Sequence, residues 1–280
     1  LAFKNAGLPT PWFKIVDHTF NIDDNQRFDY PLIVKPTDRW SSKGITRVNN
    51  QSTLKDAIQR AIEESYEEKA IIEGFMEGPE YSCECISFEG KHYFLAFTKK
   101  FTTLYPNYIE MGHLQPTDIT VDMQEQILPV IFKALDALGI KNGASHTEFK
   151  LLDTGEVGIV EIGARMGGGC IGTDLVQIST GYDYVKMVID VAVGKEPSFD
   201  QISFPRTAAI KFILNNKDME TLIKIKEKYP KCIYRVSSIE EVGSRTVIDN
   251  GARFGYYILA INDTDTDTKK ALLELLEFNQ

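Results

Sequence analysis

Two glutamates thirteen residues apart, Glu148 and Glu161, lie in the stretch GASHTEFKLLDTGEVGIVEIGARMGGG (residues 143–169), which reads as two strands around Asp153-Thr154-Gly155. A two-residue turn at Thr154-Gly155 pairs Asp153 with Glu156, and in that register Glu148 falls directly opposite Glu161 on one face. The other face then carries Phe149 opposite Val160 and Leu151 opposite Gly158, a suitable core side. Side chains opposed in this way have Cβ atoms about 4.5–5.5 Å apart, and like charges there are destabilising. A divalent cation removes the conflict, since Mg²⁺ commonly takes one or two carboxylates and completes its shell with substrate phosphates. A three-residue turn would put the two glutamates out of step. An ordinary hairpin with both acids in solvent is the competing reading. Arg165, four residues beyond Glu161, shares its face if the strand continues and can neutralise a phosphoryl oxygen. Gly167-Gly168-Gly169 lets backbone amides approach an anion closely. His146 shares a face with Glu148 and is a candidate neighbour of the site, as is His113.

The elements that must position these groups are legible in outline. Ala2–Asn5 reads as the tail of a helix ended by Gly7. Tyr30–Lys35 is an apolar strand ending in a lysine and a proline. Apolar positions Leu54, Ala57, Ile58, Ala61 and Ile62 recur at helical spacing, with Ser52 as N-cap. Ala70–Phe75 returns to strand. Tyr81–Phe88 and Lys91–Thr98 flank Glu89-Gly90 as a hairpin. Residues Phe101–Asp118 show no period and many turn formers, the pattern of a loop. Met123–Leu138 is a helix in which Pro129 predicts a late start or a kink. Helices near Asp174–Ser179 and Tyr182–Val193 follow, then a linker-like Lys195–Pro205. Strands near Thr207–Leu214 and Ala252–Ile261 and helices at Met219–Lys228 and Thr268–Phe278 complete the chain. This divides it into a small α/β lobe (1–76), a larger lobe with the carboxylate hairpin (77–200) and a C-terminal α+β part (201–280) packed on the larger lobe.

Composition excludes several classes. The 280 residues are 43% hydrophobic and 25% charged, as in globular proteins. No apolar run is long enough to span a bilayer and no signal-peptide pattern opens the chain, so a cytoplasmic location is expected. A formal net charge of −9 without a basic cluster argues against nucleic acid as a partner. Cys83, Cys85, Cys170 and Cys232 have no zinc spacing and are expected as reduced, mostly buried thiols, the first two on one strand face. The chain opens at Leu1 without an initiator methionine, the expectation for a piece of a longer protein.

Taken in order, these segments resemble the ATP-grasp superfamily, and most closely its carboxylate–amine (L-amino-acid) ligases and the carbamoyl-phosphate-synthase-like proteins. The resemblance is collinear from Gly7-Leu8-Pro9-Thr10-Pro11 to Arg253-Phe254-Gly255-Tyr256. It implies a mixed α+β, two-lobed fold enclosing a nucleotide cleft, with an N-terminal α/β domain, and an upstream phosphate-contacting lysine, preceding the point where this chain begins. Tyr30-Pro31-Leu32-Ile33-Val34-Lys35-Pro36 is similar to the strand whose lysine contacts ATP phosphates. Ser41-Ser42-Lys43-Gly44 matches the loop that closes over them, with Ser42 and Gly44 as contacts. Ile72-Glu73-Gly74-Phe75-Met76-Glu77-Gly78-Pro79-Glu80 resembles the hinge whose backbone, at Glu73 and Phe75, reads the adenine edge. Glu80 would bind the ribose.

In the same resemblance Glu148 and Glu161 are the metal-binding acids, and Arg165 and Lys35 the catalytic cations beside the transferred phosphate. Many members carry asparagine two residues after the second acid, where this chain has Gly163. Gly168, Gly169, His146 and Arg253 would face the substrate. The activity implied is ATP-dependent activation of a carboxylate as an acyl phosphate, with Mg²⁺ or Mn²⁺, followed by attack of an amine. Small-molecule carboxylates and amines would be the partners, with neither nucleic acid nor membrane involved; a homodimer is compatible with this. The alternatives are carboxy- or carbamoyl-phosphate chemistry and a nucleotide-binding module without turnover.

Overall fold

The computed structural model describes residues 1–22, 27–40, 42–103 and 108–278. Ser41 and residues 104–107, which belong to two of the stretches named above, lie outside the described residues. A short helix α1 (Ala2–Asn5) leads into strands β1 (Phe13–Asp17), β2 (Leu32–Pro36) and β3 (Thr46–Val48). Helix α2 (Leu54–Glu64) and strand β4 (Lys69–Gly74) follow, and the four strands form one sheet in the order β1-β4-β2-β3. Leu32 and Val34 of β2 face Leu54, Ala57, Ile58, Ala61 and Ile62 of α2 in one buried cluster. The helix packs on one face, and by strand alternation Lys35 is left on the other. The helix entry is capped by Asn50, whose side chain accepts from the Ser52 amide, and not by Ser52 as expected.

The second sheet begins with β5 (Glu80–Phe88), β6 (Lys91–Thr102) and β7 (Glu110–Gln115). Helix α3 (Val121–Ala137), β8 (Gly143–Leu151), β9 (Val157–Gly163), α4 (Val176–Thr180) and α5 (Tyr184–Ala192) come next. Then follow β10 (Thr207–Ile213), α6 (Asn216–Lys228), β11 (Ile233–Val236), β12 (Gly255–Ile261) and α7 (Thr266–Leu276). All eight strands join one sheet in the order β11-β12-β10-β7-β6-β5-β8-β9. The C-terminal strands extend the sheet because β10 pairs antiparallel with β7. That contact corrects the expected loop between Phe101 and Asp118. Residues 110–115 (EMGHLQ) form a strand that no apolar alternation announces, because Glu110 and His113 belong to the site. Gly112 is required there, since a Cβ would lie 2.4 Å from the Ile210 carbonyl and 2.5 Å from the Phe278 ring.

The sheet is covered on both faces. Ile86, Ala96, Ala208, Ile210 and Phe212 pack against Leu175, Val176, Ile178, Tyr184 and Met187 around α4 and α5. The opposite face places Tyr81, Cys83, Cys85, Phe97 and Phe149 on Ile127, Ile131 and Leu135 of α3. The same alternation along β5 that buries Tyr81, Cys83 and Cys85 turns Glu80, Ser82 and Glu84 to the other side. Three polar residues on one face of a central strand are a site signature, because a buried acid needs specific partners. Helix α3 neither starts late nor breaks at Pro129: Thr120 caps it by accepting from the Met123 amide. Pro129 is solvent-exposed, so the carbonyl deprived of a partner four residues earlier can bond water. The four cysteines are free, and the Cys83 and Cys85 sulfurs lie 3.5 Å apart on one face. No helix among the described residues is long and apolar enough to cross a membrane.

Candidate nucleotide and metal site

The carboxylate hairpin forms by two compensating departures from the simple expectation. The turn is one residue longer than a two-residue loop: the Leu152 amide donates to the Glu156 carbonyl at 3.0 Å, and Gly155, at φ +82°, closes the bend. Phe149 therefore pairs with Ile159, Lys150 with Gly158 and Leu151 with Val157. The slip is then reversed, because Val160 is an extra residue bulged out of the ladder between Ile159 and Glu161. Beyond the bulge Glu148 pairs with Glu161, Thr147 with Ile162 and His146 with Gly163. The two glutamates face each other, but the bulge, and not the turn, brings them there.

Each acid has a different environment. Glu148 Oε1 accepts from Lys100 Nζ at 2.6 Å and lies 3.1 Å from His146 Nε2. Burial alone would raise its pKa, but Lys100 and the His146 contact outweigh it and hold Glu148 well below the usual carboxylate range. Glu161 is raised instead, by desolvation in the cleft and then by the charge of Glu148. Lys35, Arg165 and Lys100 oppose that rise, so charges from both lobes reach Glu161. A raised acid opposite an ionised one is a pair short of positive charge. Two carboxylates are the protein share that Mg²⁺ commonly takes, leaving other positions to phosphates. No group of three or more His, Cys, Asp or Glu arranged to hold a metal ion occurs among the described residues.

Lys100 was missed in the sequence, although its side chain is only 3% exposed. Its ammonium lies 3.1 Å from Glu80, 3.2 Å from Glu110 and 2.6 Å from Glu148. Burial would lower its pKa, but these three carboxylates raise it well above the usual value. Glu110 is in turn 3.2 Å from Arg253 Nη1, and Arg253 lies over the Phe212 ring at 3.7 Å. Burial lowers the Arg253 pKa, against Glu110. The Glu110 carboxyl is held at about 2: burial raises it, but Lys100 and His113 prevail. His146 is no isolated histidine. Its Nδ1 meets the fully buried Glu84, and although burial opposes its charge, Glu84 and Glu148 raise it to about 9.

His113 is the opposite case, pushed down to about 4 chiefly by burial, with Glu110 opposing and Lys100, Arg253 and His146 adding to the fall. Gly169, at φ +55°, approaches it so closely that a Cβ would lie 3.0 Å from Nε2. A pH prediction follows. The unfolded chain protonates His113 near 6.5 and the folded one only near 4, so the unfolded state binds more protons between those values. Stability is therefore lost as pH falls from about 6.5 to 4, by up to roughly 3 kcal/mol for this group. Urea titrations across this range should show a flatter pH dependence for His113→Gln than for the parent; equal slopes would exclude His113.

The remaining expected residues divide. Lys35 pairs with Glu73 at 2.7 Å on the cleft side of the small sheet. Phe75 lies between Arg47, 4.2 Å from its ring, and Lys150, at 5.1 Å, two cations not foreseen. The Phe75 amide already donates to the Pro31 carbonyl at 3.1 Å, which corrects its expected share of adenine reading: among the described residues only its carbonyl stays open. The neighbouring Met76 amide has no acceptor among the described residues. Gly78 is obligatory, since a Cβ there would lie 2.1 Å from the Leu151 carbonyl. Ser42 and Gly44 join none of the polar contacts of the cleft among the described residues. Gly44 instead rests on its own lobe, where a Cβ would lie 2.8 Å from Pro36 and 3.1 Å from Glu64. Arg165 folds back, donating to the Met166 carbonyl at 2.9 Å. A Cβ at Gly163 would lie 3.3 Å from its side chain, so an asparagine there would have to displace it. Gly168 is exposed with open space around it.

The model of the ATP-grasp domain matches residues 28–174, more than half the chain. The chain belongs to the ATP-grasp family. Among curated relatives, alanine–anticapsin ligase of Bacillus subtilis is 29% identical over 195 residues, covering 61% of this chain and 40% of that protein. D-alanine–D-alanine ligase B of Chromobacterium violaceum is 28% identical over 174 residues, covering 60% of this chain and 55% of that one. The chain thus spans about half the length of these ATP-grasp relatives, or less. Among solved structures, L-amino acid ligase from Bacillus licheniformis superposes with a TM-score of 0.78 at 23% identity, over 98% of this chain and 68% of that one. N5-carboxyaminoimidazole synthetase from Staphylococcus aureus, complexed with ADP, gives 0.71 at 18% identity over 99% and 69%. These two establish a shared ATP-grasp fold.

Proposed function

We propose that this chain is the nucleotide-binding and catalytic part of an ATP-dependent carboxylate–amine ligase. The observation that carries the reading is the glutamate pair, Glu148 opposite Glu161, on which the charges of Lys35, Arg165 and Lys100 converge. Similarity to named ligases narrows the chemistry. ATP would lie between the sheets, its adenine against the hinge at Glu73–Met76 and its ribose near Glu80. Mg²⁺, or Mn²⁺, held by Glu148 and Glu161 would supply charge neutralisation at the phosphates.

In the first step a substrate carboxylate oxygen attacks the γ-phosphorus, the bond to the β,γ-bridging oxygen breaks, and ADP and an acyl phosphate form. An amine then attacks the acyl carbon, loses a proton, and phosphate leaves. Phosphoryl transfer asks mainly for positioning and charge compensation. Lys35 and Arg165 would turn from Glu73 and the Met166 carbonyl to the phosphates. Arg253 and Glu110, a guanidinium and a carboxylate side by side, match the two charges of an amino acid. Their 3.2 Å pairing would open for a zwitterion to replace each partner.

Phosphate release from Mg-ATP, measured by colorimetry with pooled amino acids and separately with bicarbonate, tests the proposal. Release that requires two amino-acid pools is the expected result. Dependence on bicarbonate would replace the reading with carboxy-phosphate chemistry. ADP binding without turnover for any pool would leave a nucleotide-binding module.

A further inference from the structure

The buried acid on β5 has no part in the chemistry above. Glu84 is wholly inaccessible to solvent, in a strand whose next inward neighbour, Ile86, belongs to an apolar cluster. A carboxylate in such a place is costly unless both oxygens are satisfied, and an apolar residue of the same volume would ordinarily serve better. Here both are satisfied, by groups from different parts of the site. Oε1 meets His146 Nδ1, and Oε2 accepts the Gly167 amide at 2.9 Å. The strand register puts Glu84 opposite His146 and Ser82 opposite Glu148, so acid, imidazole and second acid share one face. His146 passes the contact on through Nε2, 3.1 Å from Glu148. Gly167 has no room for a side chain, since a Cβ would lie 2.7 Å from Glu84 Oε1 and 2.8 Å from His146 Nδ1.

We propose that Glu84 is a positioning residue that couples Glu148, on the metal side of the site, to the glycine loop at Gly167. One oxygen orients the imidazole that orients Glu148; the other holds the loop amide at the height where Gly168 and Gly169 can meet an anion. Arranging the carboxylate for a cation and arranging the loop for a phosphate are then one event. The proposal rests on the nucleotide-site reading above.

Two substitutions separate this role from mere filling of space. Glu84→Met keeps the volume and removes both acceptors. Glu84→Gln keeps both contacts if its amide donates to Nδ1 of a neutral His146 and its oxygen accepts from Gly167. Calorimetric ADP titrations with and without Mg²⁺ give the Mg²⁺-dependent gain in affinity. That gain should fall about tenfold or more in Glu84→Met and stay within about threefold of the parent in Glu84→Gln, the scale on which partners of metal ligands act. Mg²⁺-free ADP affinity should be unchanged in both. Amide exchange at Gly167–Gly169 in the nucleotide-free protein should quicken about tenfold in Glu84→Met, because the hydrogen bond protecting the loop is gone. If Glu84→Met does not fold, Gly167→Ala, which presses on the same two side chains from the loop, should lose the Mg²⁺-dependent gain instead. Retention of the gain and of parental exchange in Glu84→Met overturns the coupling, as does equal loss in Met and Gln. If the unaltered protein binds no ADP under either condition, the nucleotide reading fails, and exchange alone decides whether Glu84 holds the loop.

Discussion

Replacing Lys100 with methionine should lower the unfolding free energy by about 3–5 kcal/mol, the cost of breaking a buried ion pair from one side. The stem is matched in length, so no cavity accounts for the loss. What remains is three carboxylates, Glu80, Glu110 and Glu148, that had shared one ammonium within 3.2 Å. Of these Glu110 retains Arg253 and Glu148 retains His146 as a second partner. Urea denaturation should show a lower midpoint with little change in slope. The deficit should shrink as pH falls from 7 towards 5, because the stranded carboxyls, raised above their unfolded values, take up protons more readily when folded. Added Mg²⁺ should recover part of it through binding to the folded state alone. A variant as stable as the parent at pH 7 would mean that the carboxylates find other partners and that Lys100 is not what holds them together.

Glu161→Gln should move activity and stability in opposite directions. The substitution keeps the shape of the side chain and removes the like charge facing Glu148, so stability should rise by about 0.2–1 kcal/mol. Phosphate release should fall about 10²–10³-fold, the usual scale for removing one group that stabilises transition-state charge. A residue that matters only for the hairpin could not give this pair of signs; it would lose stability, or lose nothing. Thermal melts and the colorimetric assay on one preparation decide it. A parallel fall in both would place Glu161 among the residues that keep the hairpin folded.

The legible part of this protein was the part governed by local periodicity. Helix α2 and the β5–β6 hairpin follow from spacing and turn formers, and the two-lobed fold from its collinear motifs, whereas the facing glutamates, expected from a two-residue turn, are brought together by a bulge that no spacing announces. Three things were hidden, each for a physical reason. Strand β7 escaped because Glu110 and His113 stand where alternation would place apolar residues, and their reason for being there is a site built by distant strands. Lys100 escaped because a lysine beside another lysine, Lys99, reads as a solvated face; only the sheet shows that one turns inward to three acids and the other outward to Asp118. Glu84 escaped because a single acid among Ser, Cys and Ile gives no hint of an imidazole from β8 and an amide from residue 167 meeting it. The Asn50 cap and the start of α3 at Val121 are smaller misses, each two residues from the expected position.

The bulge at Val160 works like a second typing error that restores the meaning of a sentence after the first. The extra turn residue shifts the frame by one and the bulged residue shifts it back, so every position from Glu148 towards the site is read in phase. The frame is thus set by the arms, in which five residues, 156–160, stand opposite four, 149–152, and the bulge takes up the difference. A homologous hairpin that keeps these two arms should carry one bulge whether its turn at 153–155 is shorter or longer by one residue. Deleting Val160 alone should therefore leave a folded hairpin with an unbroken ladder in which Glu161 still stands opposite Glu148.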